Sequence, residues 1–527
     1  MARFLGLDAS TQSLSALIID TDTGAVYANQ SVVFGERLPQ YNSPKGFLVQ
    51  EDPRVRHSDP LMWVEALELI LGDLVKAGVD LGSVRGVSGA GQQHGSVYLA
   101  RSFDTVRAWS TDRPLHQQVR PLLSRRTSPI WMDSATSTEC AEIARAVGGD
   151  ERVVAITGSR AIERFTGPQI RKFYKDAPAE WARTCEIHLV SSFMASLLTA
   201  CSASIDLGDG AGMNLLDLGA ANWSRELLDA TAPGLGQKLR APVPCTTRVG
   251  VLADYFVKKY GFSPDTPVIA FTGDNPSSLV GMGASRPGTA VISLGTSDTV
   301  FAAMAAPRTD PRGYGHVFGN PAGGFMALAC FSNGSLAREE IAHRFGLQWD
   351  AFADAILKHT RPGNDGNLLL PYFVPEITPR LSAPVVRWFG SDAFVNGRDP
   401  HAAARAVVET QALNLRLHSR WIGEDMNPIL VTGGASRNPG ILRILADVFQ
   451  ARIVPLQVSN SSALGGALRA AQAVDGTAWE ELARRFSAPA SHLAVEPDPA
   501  TRAVYEEAGH ELEGRLNEAL AKPFVKG

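Results

Sequence analysis

The stretch Ala270-Phe271-Thr272-Gly273-Asp274-Asn275-Pro276 stands almost at the centre of a chain of 527 residues. The apolar run Val268 to Phe271 is typical of a buried strand, and the small residues from Ser277 to Gly281 predict the start of a helix. Because open α/β sheets bind ligands at the carboxyl ends of their strands, Asp274 and Asn275 are candidate ligand-binding groups. The alternative is a turn in which both side chains bond their own backbone.

Two hairpins of one design head the two halves of the chain. The first joins Phe4–Leu7 to Leu14–Ile19 through the polar turn Asp8–Ser13, and the second follows Thr289–Leu294 with the turn Gly295–Thr299. An internal repeat on this scale predicts two domains of related fold. Hydroxyl-rich turns can point N–H groups at a phosphate, and an acid beside them can hold a metal ion through water. The alternative is that these residues serve the turn conformation alone.

Two Gly-rich loops also follow predicted strands. Val84–Val87 leads into Ser88–Ser96, where three glycines allow close approach of a ligand and His94 can bond hydroxyl groups. Pro428–Thr432 leads into Gly433-Gly434, a platform without side chains that suits a nucleotide base or ribose. For the histidine, a purely structural role is the alternative.

Helical periodicity is clearest in four places. Asp59-Pro60 forms an N-cap with proline at the first helical position, and the apolar spacing that follows predicts a helix over about 61–77. Buried helices are expected over Ile187–Leu198 and Ala402–Leu417. The small residues from Ser461 onward predict a helix that packs closely against a neighbour.

Composition excludes several classes of protein. Hydrophobic residues make up 45% and charged residues 20% of the chain, and its formal net charge is -4, so neither nucleic acid nor a membrane is an expected partner. No apolar run approaches the length of a membrane span. The five cysteines are scattered and the N-terminus lacks a signal-peptide pattern, which favours a reduced, cytoplasmic protein.

These motifs together resemble the FGGY carbohydrate kinases, and within them the xylulose kinases of the eukaryotic-type branch. The likeness rests on Ser88–Ser96, on Thr157–Gly167, on Phe271–Pro276 and on Thr432–Asn438, with the two hairpins, and it covers essentially the whole chain.

The resemblance implies an α/β protein with two actin-like (ribonuclease H-like) ATPase domains and a cleft between them. We expect residues 1–272 to bind the sugar and residues 273–527 to bind ATP. The implied reaction is ATP-dependent phosphorylation of D-xylulose to D-xylulose 5-phosphate, with Mg2+, by a monomer or homodimer. The alternatives are a sister kinase for ribulose, glycerol or gluconate, and a non-enzymatic actin-like nucleotide switch.

Site residues carry over position by position. Asp274 matches the catalytic base, and the residues that match sugar-binding positions are His94, Arg164, Asp274 and Asn275. The residues that match nucleotide and phosphate contacts are Thr11, Thr296, Trp349, Gly433, Gly434 and Asn438. Asp8 matches the metal position.

One departure concerns the substrate wall. Many family members carry an arginine two residues after the aspartate of a Trp-x-Asp motif, whereas this chain has Trp131-Met132-Asp133-Ser134-Ala135. Another cation must take that place, and Arg164 is the candidate.

Overall fold

The computed structural model describes residues 2–521, which divide into two compact units. The first takes in residues up to Ser285, with Val317–Met326 and Val458–Ala488, and the second takes in Arg286–His316, Ala327–Gln457 and residues from Pro489 onward. The division predicted from the sequence, into residues 1–272 and residues 273–527, stays a prediction. The assignment of sugar and ATP to the two parts stays a prediction.

The strands in chain order are β1 (Arg3–Ala9), β2 (Ser13–Asp20), β3 (Ala25–Val33), β4 (His57–Ser58), β5 (Val84–Gly91), β6 (Ser96–Leu99), β7 (Ser128–Pro129), β8 (Glu186–Leu189), β9 (Leu216–Asp217), β10 (Asn222–Trp223), β11 (Arg248–Val251), β12 (Pro267–Ile269), β13 (Thr272–Gly273), β14 (Ala290–Leu294), β15 (Asp298–Met304), β16 (His316–Gly319), β17 (Phe325–Phe331), β18 (Leu368–Tyr372), β19 (Val385–Phe389), β20 (Ile429–Thr432) and β21 (Ile453–Pro455).

The α-helices in chain order are α1 (Phe34–Arg37), α2 (Pro60–Lys76), α3 (Leu115–Val119), α4 (Ser137–Ala146), α5 (Asp150–Thr157), α6 (Thr166–Asp176), α7 (Pro178–Arg183), α8 (Val190–Thr199), α9 (Leu207–Gly210), α10 (Arg225–Thr231), α11 (Asp254–Tyr260), α12 (Asp274–Gly281), α13 (Ser335–Phe345), α14 (Trp349–Lys358), α15 (Asp392–Val395), α16 (Pro400–Ser419), α17 (Pro439–Phe449), α18 (Ser461–Asp475), α19 (Trp479–Phe486) and α20 (Arg502–Ala521).

The first unit is built on a sheet with the strand order β11-β12-β5-β1-β2-β3. Strands β1 and β2 form the predicted hairpin, β3 extends it to an antiparallel meander, and β5 runs parallel to β1. Successive residues of β1 face opposite sides: Leu5 packs with α2 and α8, whereas Phe4 packs with α18. The sheet is therefore covered on both faces, as a sheet with parallel strands requires.

The second unit repeats this design. Strand β14 pairs antiparallel with β15 and parallel with β20, as β1 pairs with β2 and β5. Its sheet includes, in order, β17-β15-β14-β20-β21, and α16 is buried along nearly its whole length. The predicted hairpin at Gly295–Thr299 and the predicted repeat are confirmed.

The central stretch differs from its prediction as one continuous strand. Strand β12 ends at Ile269, and β13 resumes at Thr272, so that residues 268 to 272 lie opposite residues 87 to 90 of β5. The extra residue is a bulge, and the Ala270 carbonyl accepts from Arg469 Nη1 at 2.6 Å and from Ser88 Oγ at 3.0 Å instead of joining the ladder. Such bulges re-aim the residues that follow, here Asp274.

Helix α18 packs against α12 at backbone distance, as its small residues predicted. A β-carbon at Gly465 would collide with the Ser277 carbonyl, and one at Gly281 would collide with the Ser461 carbonyl. Ser277 Oγ donates to the Ser462 carbonyl at 2.7 Å. Glycine is thus required for the two helices to lie this close.

Three local predictions meet different outcomes. The helix predicted over 61–77 is α2, and Asp59 accepts from the Leu61 N–H as its cap. The predicted helix Ile187–Leu198 is wrong in its first residues, which form β8 because β6 offers a partner strand. Ser88–Gly91, predicted as loop, continues β5 because β1 and β13 pair with it.

Within residues 2–521, no helix is long and apolar enough to cross a membrane.

Candidate active site

Asp274 is the first residue of α12 and presents two different oxygens. Its Oδ1 accepts from the Gln93 N–H at 3.3 Å, from the Asn275 N–H at 2.9 Å and from Asn275 Nδ2 at 3.2 Å. Its Oδ2 accepts no hydrogen bond from the described residues. One oxygen therefore fixes the carboxylate and the other can take a proton.

The environment of Asp274 suits a base at neutral pH. The side chain is half-buried, and burial raises its pKa to about 6, against the opposing effect of the backbone N–H donors. Above that pH the group is ionised, and its conjugate acid is weak enough to hold a proton in passing.

Gln93 joins Asp274 to Asn275. Its Oε1 accepts from Asn275 Nδ2 at 2.7 Å, which orients the Asn275 amide, while its own Nε2 has no partner among the described residues. A β-carbon at Gly273 would collide with the Gln93 side chain, so glycine is needed there. Sequence reasoning did not indicate that Gln93 positions these two residues.

His94 lies next to Gln93 in a left-handed conformation, with φ of 69°. Its Nδ1 is 2.7 Å from the Gly212 carbonyl, and because a carbonyl can only accept, Nδ1 carries the proton and Nε2 is the acceptor. Burial, and then the charge of Arg164, lower its pKa to about 3. The ring is therefore neutral, and it stacks on Phe165 with centroids 4.3 Å apart.

Arg164 belongs to the same wall. Its guanidinium carbon is 5.9 Å from the centroid of the Phe165 ring, and its charge acts on His94. The structure therefore groups two sets of predicted sugar residues, Asp274 with Asn275 and His94 with Arg164. Gln93 links them, since it contacts Asn275 and precedes His94.

Asp133 lies in the stretch Trp131–Ala135, which lacks the arginine of the family motif. Neutral and weakly basic groups hold it in place. It is buried and accepts from the Arg56 N–H at 2.9 Å and from Gln169 Nε2 at 2.7 Å, and His57 Nε2 lies 3.5 Å away. Burial tends to raise its pKa, but these partners together hold it below the usual value. The role of Arg164 as the replacement cation stays a prediction.

Asp8, at the end of β1, has an unsatisfied oxygen. Its Oδ1 is buried without a hydrogen-bond partner among the described residues. Burial and then the charge of Asp274 raise its pKa to about 7, while the nearby Ser462 hydroxyl acts in the opposite direction. The negative charge of Asp274 therefore disfavours ionisation of Asp8, and both residues belong to the first unit.

Thr11, predicted to hold a phosphate, has a hydroxyl that is already engaged. Its Oγ1 accepts from Trp131 Nε1 at 2.8 Å and donates to Gln92 Oε1 at 3.3 Å. A phosphate contact at Thr11 would therefore use the backbone N–H, or would require this chain of bonds to rearrange.

A cavity of about 600 Å³ opens in the second unit. Four predicted nucleotide residues line it, namely Thr296, Trp349, Gly434 and Asn438. The predicted Gly433 is not among the lining residues. With φ of 92°, it allows the chain to pass the Leu294 carbonyl, where a β-carbon would collide.

The side chains of this cavity are held by their neighbours. Asn438 Oδ1 caps α17 by accepting from the N–H groups of Gly440 and Ile441 at 3.0 and 3.2 Å, and its Nδ2 donates to the Trp349 carbonyl at 3.4 Å. Trp349 is 48% exposed, so that its side chain can offer a face to a base. Asn438 thus shapes the cavity through its cap.

Sequence reasoning missed the anchor of the second hairpin. Arg338 is buried in the wall of this cavity and pairs with Asp298, with Nη1 to Oδ2 at 2.8 Å, and also donates to Gln411 at 2.9 Å. The Ser335 N–H donates to the Gly295 carbonyl at 2.8 Å. A lone arginine on a predicted helix gave no signal, because its partner lies 40 residues away.

Comparisons with known proteins show the family of this chain. Residues 3–281 match the N-terminal domain and residues 290–474 the C-terminal domain of the FGGY family of carbohydrate kinases. The xylulose kinase of Mus musculus is 41% identical over 511 residues, which is 95% of this chain and 91% of that protein.

Solved structures share the fold at lower identity. The xylulose kinase of Rhodospirillum rubrum has a TM-score of 0.80 at 20% identity over 98% of both chains, and the gluconate kinase of Lactobacillus acidophilus has a TM-score of 0.82 at 20% identity over 99% of both chains. Both support the two-domain actin-like fold. The chain belongs to the FGGY family of carbohydrate kinases.

Proposed function

We propose that this kinase transfers the γ-phosphoryl group of ATP to D-xylulose and forms D-xylulose 5-phosphate, with Asp274 as the general base. The observation that carries the mechanism is the half-buried Asp274, with Oδ1 held by three N–H donors and Oδ2 unengaged by the described residues. The choice of sugar is supported by the relatives named xylulose kinase.

The proton step follows from the two oxygens of Asp274. As the terminal hydroxyl oxygen of the sugar bonds to the γ-phosphorus and the bond to ADP breaks, Oδ2 accepts the hydroxyl proton, which later passes to solvent. Phosphoryl transfer needs mainly positioning and charge stabilisation. General-base help of this kind contributes on the order of 10²–10⁴ in rate.

The other proposed sugar residues are two neutral groups, His94 and Asn275, and one cation, Arg164. We assign to His94 Nε2 an accepted hydroxyl hydrogen bond, since Nδ1 is used by the Gly212 carbonyl. The Asn275 amide, oriented by Gln93, contributes a further contact, and Arg164 places a positive charge beside His94.

Asp8 fits an Mg2+ ion that is held together with phosphate. Among residues 2–521 no group of three or more His, Cys, Asp or Glu side chains could cage a metal, but the buried Asp8 Oδ1 lacks a partner. Mg2+ commonly keeps its waters and binds one carboxylate and substrate phosphates, which matches a single acidic ligand. When bound, it would neutralise charge on the phosphates.

We assign ATP to the cavity of the second unit. Its volume of about 600 Å³ suits a nucleotide, and the Trp349 face and the Gly434 backbone are suited to the base and ribose. Thr296 lies in the hairpin turn that Arg338 anchors, where backbone N–H groups can meet phosphate oxygens. Gly433 and Asn438 act by shaping the walls of this cavity, and Thr11 of the first hairpin stays a predicted phosphate contact.

We also propose that the enzyme works in the cytoplasm. The five cysteines, Cys140, Cys185, Cys201, Cys245 and Cys330, are all free thiols. Free thiols on a chain of this class favour a reducing compartment. Its oligomeric state, monomer or homodimer, stays a prediction.

A panel of sugars tests the proposed substrate. ADP release is measured with D-xylulose, D-ribulose, glycerol and gluconate at matched concentrations. We expect D-xylulose to give the highest kcat/KM, by about tenfold or more, because a site built on hydrogen bonds rejects analogues that leave its groups unpaired. A higher value for another sugar would assign the chain to a sister kinase, and ADP release that is independent of any sugar would indicate a nucleotide switch.

A further inference from the structure

A buried acid, Asp209, lies beside Gly273, the residue that precedes the candidate base Asp274. It belongs to α9 and has no exposed surface. Its Oδ2 accepts from Ser191 Oγ at 2.5 Å, and its Oδ1 has no hydrogen-bond partner among the described residues. That Oδ1 lies 2.9 Å from the place where a β-carbon on Gly273 would stand, so it contacts the residue that precedes Asp274.

The charges that face Asp209 are mostly negative. Asp206 directly precedes α9, the helix that carries Asp209, and Asp274 lies at the start of α12. The negative charge of each raises the pKa of Asp209 beyond the effect of burial. Helix α8 contributes the neutral Ser191. The cation Arg469 of α18 acts on Asp206 and donates to the carbonyls of Ala270 and Gly89.

The three carboxyls differ in how well their charge is supported. Asp274 Oδ1 takes three N–H donors, and Asp206 accepts from the Gly208 and Asp209 N–H groups at 3.1 and 3.0 Å. Asp209 has one hydroxyl donor. Since hydrogen bonds stabilise a buried anion and burial alone penalises it, Asp209 is the least favourable place for a charge.

We propose that Asp209 is a positioning residue that stays a neutral carboxylic acid while Asp274 is ionised. Asp209 is held by its hydrogen bond with Ser191 and packs against Gly273. It thereby fixes the position of the Asp274 side chain. Because it carries no charge, Asp274 alone bears the negative charge at this point and stays available as the base. This inference rests on the proposed role of Asp274 for its kinetic consequence, but its protonation state can be tested apart from activity.

Infrared spectroscopy of the full-length enzyme tests that state directly. At pH 8.5, above the pKa of about 6 of Asp274 and of about 7 of Asp8, the wild type minus Asp209→Asn difference spectrum should contain the C=O stretch of a protonated carboxyl. Absence of this band would overturn the proposal. Ser191→Ala serves as the second variant, because losing the hydroxyl should move the same band in frequency, and an unmoved band would contradict the anchoring.

Kinetics on the sugar that the panel selects test the positioning. Asp209→Asn should keep kcat within about threefold and leave the acid limb of the kcat/KM profile in place, because an amide is also neutral and of the same shape. Asp209→Ala should lower kcat by about tenfold or more with little change in KM, because the base is then misplaced.

Two kinetic results would contradict the inference. If Asp209 were charged, Asp209→Asn would move the acid limb down by roughly one pH unit or more, since a like charge beside Asp274 would be lost. Full kcat in Asp209→Ala would exclude a positioning role. Should the infrared band be present while no sugar is phosphorylated, the protonation state stands and the proposed function fails.

Discussion

Asp274 owes its character to three structural features around it, of which one, Gln93, comes from a distant part of the chain. The Gln93 N–H holds its Oδ1, the bulge at Ala270 re-aims it, and Gly273 leaves room for the Gln93 side chain. Each of these lowers the freedom of the carboxylate, and burial raises its pKa to about 6. A base that is held in place and weakly basic is what proton abstraction near neutral pH requires.

The raised pKa of Asp274 predicts the pH dependence of the reaction. Because the group must be deprotonated to act, kcat/KM should fall below a midpoint of about pH 6 and level off above it. The profile is measured with saturating Mg2+, so that titration of Asp8, with a pKa of about 7, does not overlap. An acid limb centred near pH 4 would show that the base is an unperturbed carboxylate or a different group.

His94 is predicted to act in binding rather than in the chemical step. Its neutral ring offers Nε2 to a hydroxyl in both the ground state and the transition state, so His94→Ala should raise KM for the sugar by about tenfold or more with kcat little changed. The exposed His343→Ala is the matched control and should leave both constants unaltered. A loss confined to kcat would place His94 in the chemistry instead.

Helix α12 carries Asp274, and its place is set by contact with α18. The β-carbon of an alanine at position 465 would collide with the Ser277 carbonyl, whereas one at Gly72 of α2 meets no atom within 4 Å. Close backbone packing of this kind leaves no room for relaxation without moving a helix.

Gly465→Ala should therefore destabilise the protein by about 1–3 kcal/mol and lower kcat, because α12 must shift. Gly72→Ala should leave stability unchanged or raise it by about 1 kcal/mol at most, since it replaces a helical glycine in open space. Thermal unfolding and steady-state kinetics on both variants provide the check. Equal midpoints for the two would mean that the α12–α18 contact adjusts freely.

Local pattern predicted many of these elements well. The hairpin turns at residues 8–13 and 295–299, the Asp59-Pro60 start of α2 and the small-residue helix α18 all follow from neighbouring residues, because turn chemistry, caps and periodicity act over a few positions. The apolar run before Leu198 was misread, because its length and composition suit a strand as well as a helix.

The candidate site was predictable in part. His94, Asp274 and Asn275 stand in Gly-rich loops after strands, which marked them from the sequence. The positioning roles of Gln93 and Asp209 could not be predicted, since they depend on contacts with Asn275 and Gly273, which are far away along the chain. A contact between distant residues leaves no periodic pattern in a single sequence.

Buried acids that serve catalysis lower the stability of the whole protein. The folded-state pKa of Asp274 lies above the usual value near 3.9, so its contribution to the free energy of unfolding is largest below about pH 4 and is lost as pH rises through 6. An ionised Asp274 at pH 8 is thus a cost to the fold that function requires.

Asp274→Asn should consequently be more stable than the wild type at pH 8, by a few degrees in thermal midpoint at most, and this advantage should shrink toward pH 4. The measurement is made without nucleotide or Mg2+, because ligands that bind the folded state would mask the difference. If the variant were less stable than the wild type at pH 8, or if the difference between the two proteins were the same at both pH values, ionised Asp274 would not destabilise the fold.

Paired turnover and binding measurements on Asp274→Asn test whether Asp274 is the general base. D-Xylulose-dependent ADP release is followed at pH 8 for the wild type and for the variant, and the dissociation constant of D-xylulose is measured by calorimetry on both proteins. We predict that kcat falls by a factor on the order of 10²–10⁴ while the dissociation constant changes by less than about tenfold. Near-normal turnover by Asp274→Asn would contradict the account, because the carboxylate would then not be the base.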